Sequence, residues 1–100
     1  MNTLHLTLKK QWFDLIASGE KKEEYREIKE FWWRRLTHGK YCIFNEYDTV
    51  CFRHGYAKNA PTVTVKCNGI VIAKGKEAWG AEQGVDYFVI SLGEILSAQK

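Results

Sequence analysis

Charged residues with complementary chemistry crowd into the segment GEKKEEYR, residues 19–26. If its second half is a strand, alternation places Glu24 and Arg26 on one face, where a carboxylate and a guanidinium hydrogen-bond to each other. Lys21 lies just before them, and burial beside Arg26 would lower the pKa of its amine. Such a lysine serves as a nucleophile, a base or a selective anion anchor. Gly19 suits a helix end with positive φ and lets the chain turn so that Lys21 is aimed at the end of the sheet.

The same segment has a plainer interpretation. Charges on an edge strand remain solvated and discourage aggregation with other sheets. Whether the segment is a site or a solvated edge depends on the elements that surround it.

The elements that precede and include the charged segment follow from hydrophobic period. Residues 3–8, TLHLTL, alternate polar and apolar side chains and predict a half-buried strand. From Lys9 onward the apolar residues recur at helical spacing until Gly19, which predicts a helix of about three turns. Residues 23–28, EEYREI, then predict a second strand.

A second helix and a β-rich half follow. The segment KEFWWRRLTHGK predicts a short helix that ends at Gly39. Four later runs are typical of strands: TVCFR, TVTVKC, IVIA and YFVISL. Asn68-Gly69 fits either a tight hairpin between the two middle runs or a bulge within one bent strand. The tail, GEILSAQK, is expected to be a short helix or a frayed end.

Length and element order together predict one α+β domain covering residues 1–100. A chain of 100 residues can bury a single modest core, and its 14% aromatic content argues against disorder. Strands at both ends, one or two helices after the first strand and a late β-meander predict a small curved sheet or open β-barrel with the helices covering one end.

Composition limits the cellular compartment and the classes of partner that we expect for this protein. The net charge of +3 attracts anions only mildly, although a local patch can be far more basic. Three cysteines without a CxxC pair do not indicate a disulfide framework, and no apolar run approaches the roughly 20 residues of a membrane span. We therefore expect a cytoplasmic protein with no membrane partner and no cofactor.

Histidine and cysteine spacing does not predict a metal site. His5, His38 and His54 are scattered, and no cysteine lies at ligand spacing from another. Cys51 and His54 are three residues apart at a strand end, which does not present them face to face, so a buried thiol is expected there rather than a nucleophile.

The pattern G-x-K-x-x-E-x-R is supplied by Gly19, Lys21, Glu24 and Arg26, directly after the apolar helix WFDLIASG. This pattern resembles the signature of the ASCH superfamily. The likeness extends over LHLTLKKQWFDLIASGEKKEEYR and over EAWGAEQGVDYFVISLGEIL, which is roughly half of the chain. The resemblance implies a PUA-like open β-barrel with helices covering one end and a cleft lined by the motif.

The resemblance also implies a class of ligand. Members of the family are regarded as binding RNA or modified nucleosides, and one branch resembles amidohydrolases that deacylate the exocyclic nitrogen of acetylated cytidine. That branch uses a lysine, a threonine and a glutamate. The lysine corresponds to Lys21, the threonine position holds Glu24, and Glu77 or Glu82 would stand in for the glutamate. A carboxylate is not acylated and hydrolysed as a hydroxyl is, so Glu24 or Glu77 would have to activate water while Lys21 and Arg26 stabilise the oxyanion.

Aromatic and basic residues outside the motif extend the expected binding surface, because single-stranded nucleic acid favours cations interleaved with rings. Trp12 is expected in the core. Trp32 and Trp33 lie about 100° apart on a helix, so one of them is expected to be exposed. Either Trp33 or Trp79 would stack on a base, or both would cap the barrel ends. The residues expected to meet phosphate are Arg34, Arg35 and Arg53.

The sequence thus predicts a domain that binds RNA or a nucleoside in a cleft floored by Lys21, Glu24 and Arg26. The main alternative is an amidohydrolase acting on an acylated nucleoside. A third possibility is a protein-interaction module that uses exposed aromatic residues.

Overall fold

The computed structural model describes residues 2–99 of the chain. Within them, the alternating and helical hydrophobic patterns of the sequence correspond to seven strands and two helices. In chain order the elements are β1 Thr3–Leu8, α1 Lys10–Ala17, β2 Glu23–Glu27, α2 Glu30–Leu36, β3 Thr37–His38, β4 Ile43–Phe44, β5 Thr49–His54, β6 Thr62–Lys74 and β7 Asp86–Gln99. A 3₁₀ turn, Glu77–Trp79, interrupts the loop between β6 and β7.

Five of these strands form one curled sheet in the order β1-β5-β6-β7-β2, shaped as a half-barrel. β1 runs parallel to β5, and the other neighbours are antiparallel. β1 and β2, which flank α1 in sequence, therefore lie at the two opposite edges of the sheet. β3 and β4 form a separate two-stranded sheet.

The core lies on the inner face of the curled sheet, and alternation along the strands fills it. Leu4, Leu6 and Leu8 of β1 are buried, whereas His5 between them is exposed. The core is completed by Phe13 and Ile16 from α1, Leu36 from α2 and apolar residues of the later strands: Val50, Phe52, Val63, Val65, Ile70, Phe88, Ile90 and Leu92. Both helices thus pack against the sheet through a few apolar side chains.

Both helices are shorter than expected. α1 has 8 residues, roughly two turns instead of about three. The prediction that α2 continues to Gly39 is wrong, because Thr37 is extended and pairs with Phe44 across the small sheet. Strand pairing across the small sheet therefore replaces the helical conformation expected for the last residues of this segment.

Two later elements settle or correct the sequence predictions. Asn68-Gly69 lies inside the continuous strand β6 as part of an irregular pairing with β7, so the bulge alternative is confirmed, with Gly69 at φ +118°. The expected helix or frayed end in the tail is wrong for residues 93–99, which extend β7 and pair with the first half of β6. Residue 100 of that tail lies outside the described residues.

At the level of class, the mixed architecture confirms the α+β expectation, with one helix after each of the first two strands. Neither helix has both the length and the apolar composition that crossing a bilayer requires.

Candidate functional site

Gly19 makes the turn that carries the chain from α1 to the motif strand. Its φ of +84° is the left-handed conformation that favours glycine. The Gly19 amide donates to Ile16 O at 3.0 Å, and the Lys21 amide donates to Leu15 O at 3.0 Å. These bonds hold the Lys21 backbone against the end of α1.

Lys21 is the most buried charged residue of the motif, at 2% relative exposure. Its Nζ donates to Glu24 Oε1 at 3.0 Å and to the carbonyl oxygen of Glu23. Nζ also lies 4.9 Å from the ring centroid of Tyr25 and 5.6 Å from that of Trp12. Burial lowers the pKa of the amine below its usual 10.5, and the neighbouring Glu24 carboxylate opposes that shift only in part.

Glu24 joins Lys21 to Arg26. Its second oxygen, Oε2, accepts a bond of 2.5 Å from Arg26 Nη2, which confirms that the two side chains share a face. The carboxylate lies between two cations and is itself buried, at 6% relative exposure. The same Nη2 donates to Thr7 O at 3.3 Å, and the guanidinium carbon lies 5.0 Å from the centroid of Trp32. Arg26 thus connects the motif to β1 and to α2.

A cleft of about 430 Å³ opens where these elements meet, between the two edge strands of the half-barrel. Glu24 and Arg26 contribute to its wall, and Trp12 and Trp32 provide ring surfaces. The remaining lining residues are Thr7, Leu8, Lys9, Tyr25, Glu27 and Lys29. Lys21 is not part of the lining, because the rings of Trp12 and Tyr25 cover its amine.

A larger hollow, of about 640 Å³, lies beside β4. Its polar side chains bond mainly to one another: His38 Nδ1 pairs with Asn45 Oδ1 at 2.6 Å, and the Asn45 amide donates to Tyr47 Oη and to Arg35 O. Buried charge and two half-buried tryptophan rings meet at the motif cleft instead. We therefore take the motif cleft as the candidate site.

The loop between β6 and β7 holds the other residues expected to be catalytic. Neither Glu77 nor Glu82 lines the motif cleft. Glu82 borders a different hollow beside Tyr25 and Tyr87, and Lys76 lies over the ring of Trp79 at 4.4 Å. A catalytic role for Glu77 and a stacking role for Trp79 remain predictions.

The arginines expected to bind phosphate lie outside the cleft and have partners within the chain. Arg34 pairs with Glu30 at 2.6 Å on the exposed side of α2, and Arg35 donates to His5 O at 2.9 Å. Arg53 donates to the carbonyl oxygens of Ala57 and Lys58, so it secures the loop after β5. Their contact with phosphate stays a prediction.

Trp33 and Trp32 have different surroundings. Trp33 packs edge to face on Phe88 at 4.9 Å and stacks near Phe44, so its ring belongs to the inner side of α2. Trp32 faces the cleft and Arg26. Sequence reasoning recognised that the two rings point apart but named Trp33 as the ligand-binding candidate. It also assigned Trp12 to the core, whereas that half-buried ring packs on the core and also borders the cleft.

Comparisons with protein-family models, with curated proteins and with solved structures found no match for this chain. Within residues 2–99, no group of three His, Cys, Asp or Glu side chains is arranged to hold a metal ion, and Cys42, Cys51 and Cys67 are free thiols.

Proposed function

We propose that this chain is an ASCH-type domain of PUA-like fold and that its motif cleft binds a nucleobase, presented by single-stranded RNA or by a nucleoside. The observation that carries the proposal is the buried network of Lys21, Glu24 and Arg26 beside an open cleft that has tryptophan rings on its walls.

Buried charge supports a ligand site because it is a poor means of stabilising a fold. Desolvation of an ion pair offsets much of its Coulombic gain, so apolar residues would stabilise the same position as well or better. A buried charged group with an altered pKa beside a cleft is instead typical of functional sites. Lys21 is such a group, since burial lowers the pKa of its amine and it bonds Glu24 of the cleft wall. Here Arg26 presents hydrogen-bond donors and Glu24 presents an acceptor beside the ring of Trp32.

The rim of the cleft supports a nucleic-acid ligand. Lys9 and Lys29 line the cleft and are exposed. Lys29 Nζ lies 3.7 Å from Glu27 Oε2, an exposed ion pair weak enough for a phosphate to replace the carboxylate. Base stacking on an aromatic ring together with cations along the backbone is the common mode of single-strand binding. Trp32 takes the stacking role in this proposal, and Arg34 and Arg35 of the same helix extend the basic surface.

The proposal is tested by fluorescence anisotropy titration of a labelled single-stranded RNA at several salt concentrations. For each phosphate neutralised, the slope of log K against log salt changes by about 0.7. The double variant Lys9→Gln/Lys29→Gln should flatten the slope by about 1.4, the sum of two such terms. Lys66→Gln, at an exposed position of β6 away from the cleft, is the matched control. Affinity indifferent to salt, or equal effects of the two sets of substitutions, would refute the proposal.

A second candidate function is hydrolysis of an N-acyl nucleoside, and the lowered pKa of Lys21 beside Glu24 favours it. In this reaction Glu24 takes a proton from water and the water oxygen bonds to the acyl carbon. The carbon–nitrogen bond then breaks, and the proton passes to the leaving amine. Arg26, which lines the cleft, stabilises the oxyanion, and Lys21 acts through its bond to Glu24 unless its covered amine is freed to join the oxyanion site.

Incubation with acetylcytidine, followed by chromatography for cytidine, tests this candidate. Turnover that is lost in Glu24→Gln and kept in Glu20→Gln would support it. Absence of turnover in the wild-type protein would leave binding as the function of the cleft.

A further inference from the structure

The loop between β6 and β7, residues 75–85, is an internally bonded unit. The amides of Trp79 and Ala81 donate to Lys76 O at 3.0 and 3.2 Å, and the Gly80 amide donates to Glu77 O at 3.1 Å. Gly75 and Gly84 lie near its two ends, the latter at φ +78°. A loop of this kind can move as one body about its ends, because its backbone bonds need not break when it is displaced.

Two tyrosine hydroxyls hold this loop to the sheet. The Lys76 amide donates to Tyr25 Oη at 2.9 Å, and the Glu82 amide donates to Tyr87 Oη at 3.0 Å. The two tyrosine rings are neighbours on β2 and β7, with centroids 5.7 Å apart. Among residues 2–99, these are the hydrogen bonds that connect the body of the loop to the strands.

The loop also packs on both rings that enclose Lys21. A methyl group at Gly80 would lie 3.1 Å from the ring of Trp12, and one at Gly75 would lie 2.7 Å from the ring of Tyr25. Those two rings are the ones that lie against Lys21 Nζ. Displacement of the loop therefore removes one of the contacts that hold Trp12 and Tyr25 against the amine.

We infer that the 75–85 loop is a lid over Lys21, with the hydroxyls of Tyr25 and Tyr87 as its latch. In the closed state the ligand cleft presents Glu24 and Arg26 while the Lys21 amine is covered. In the open state the amine joins the cleft. The inference deepens the proposed function and rests on its assignment of the motif network to the ligand site. It gives Glu77 and Trp79 a place in the lid.

The lid is tested without RNA, so its failure is separate from a failure of the proposed function. The native full-length protein is acetylated with a small amine-reactive ester at one pH, and peptide mass spectrometry follows Lys21 and the exposed Lys22 in the same chain. In the wild-type protein Lys21 should react much more slowly than Lys22. Tyr87→Phe should raise the Lys21 rate about fivefold and leave Lys22 unchanged, as expected from the loss of one hydrogen bond.

Tyr47→Phe is the matched control, because it removes a hydroxyl that bonds Arg35 O at 3.2 Å, outside the loop. An equal gain in Lys21 reactivity in both variants would mean that global unfolding exposes the amine, and no gain in Tyr87→Phe would mean that the hydroxyl is not a latch. Either result overturns the inference. Amide hydrogen exchange of the wild-type protein gives a second reading: the Lys76 and Glu82 amides should exchange faster than the Ile90 amide of β7, and equal rates would contradict a lid.

Discussion

Arg26 Nη2 donates to the carbonyl oxygen of Thr7 at 3.3 Å, so a side chain from one edge strand of the half-barrel reaches the backbone of the other. The sheet does not close by strand pairing, because β1 and β2 lie at opposite ends of its strand order. Arg26 bridges the gap with a single hydrogen bond. The cleft is the part of the gap that this bridge leaves open.

Removal of the Lys21 charge should destabilise the fold. Lys21→Met leaves the buried Glu24 carboxylate with Arg26 as its remaining cationic partner, and loss of one member of a buried pair costs about 3 kcal/mol of unfolding free energy. Urea denaturation at neutral pH measures the loss. Lys22→Met, at the exposed neighbouring position, should change stability by less than about 0.5 kcal/mol. Equal losses in the two variants would show that the buried pair contributes nothing.

Lys21 should also make stability depend on pH in the alkaline range. Its folded-state pKa lies below the 10.5 of an unfolded lysine, so between the two values the unfolded state binds more protons. The free energy of unfolding contributed by this group therefore rises with pH across that window. Because Glu24 raises the pKa of Lys21, Glu24→Gln should lower it further and extend the window toward neutral pH.

A side-chain NMR titration of labelled lysine measures the Lys21 pKa directly. Glu20→Gln is the control, since it removes the same charge from an exposed position before the strand. An unchanged pKa in Glu24→Gln would contradict the electrostatic coupling of the pair.

The bulge in β6 should depend on its glycine. Gly69 has φ +118°, a conformation that other residues adopt only with strain. No atom outside its immediate neighbours lies within 4 Å of an added Cβ, so Gly69→Ala isolates the backbone effect. We expect a loss of about 1 to 2 kcal/mol by thermal or chemical denaturation. Ser97→Ala on exposed β7 should have little effect, and a neutral Gly69→Ala would show that the bulge relaxes without strain.

The elements predicted correctly from sequence are those with a local cause. β1, α1 and β2 follow from period and from the stop at Gly19, and alternation along β2 placed Glu24 beside Arg26. The tail shows where local sequence patterns fail to predict the structure. Ile95 and Leu96 are adjacent apolar residues with no strand alternation, and they are extended because β7 pairs with the distant first half of β6.

The cleft was predicted only in part, for a similar reason. The motif indicated which charges act together, but Trp32 and Thr7 reach Arg26 only because the half-barrel brings its two edges close. Trp12 was expected to be core because its period matches Ile16, although a half-buried ring can pack inward and still border a cleft. The spacing of residues along the chain indicates neither the contacts of Arg26 with Thr7 and Trp32 nor the position of Trp12 beside the cleft.

The most direct test of the central claim is an NMR titration of the four tryptophan indole N–H signals with a single-stranded RNA of about eight nucleotides. The Trp32 signal should shift on binding, whereas the signal of Trp33, which packs on Phe88, should not. Trp32→Ala should weaken binding about tenfold, the usual loss for one stacked base. Tyr56→Ala, which removes an exposed ring outside the cleft, should leave affinity unchanged. Shifts confined to Trp33 or Trp79, or full affinity in Trp32→Ala, would contradict binding in the motif cleft.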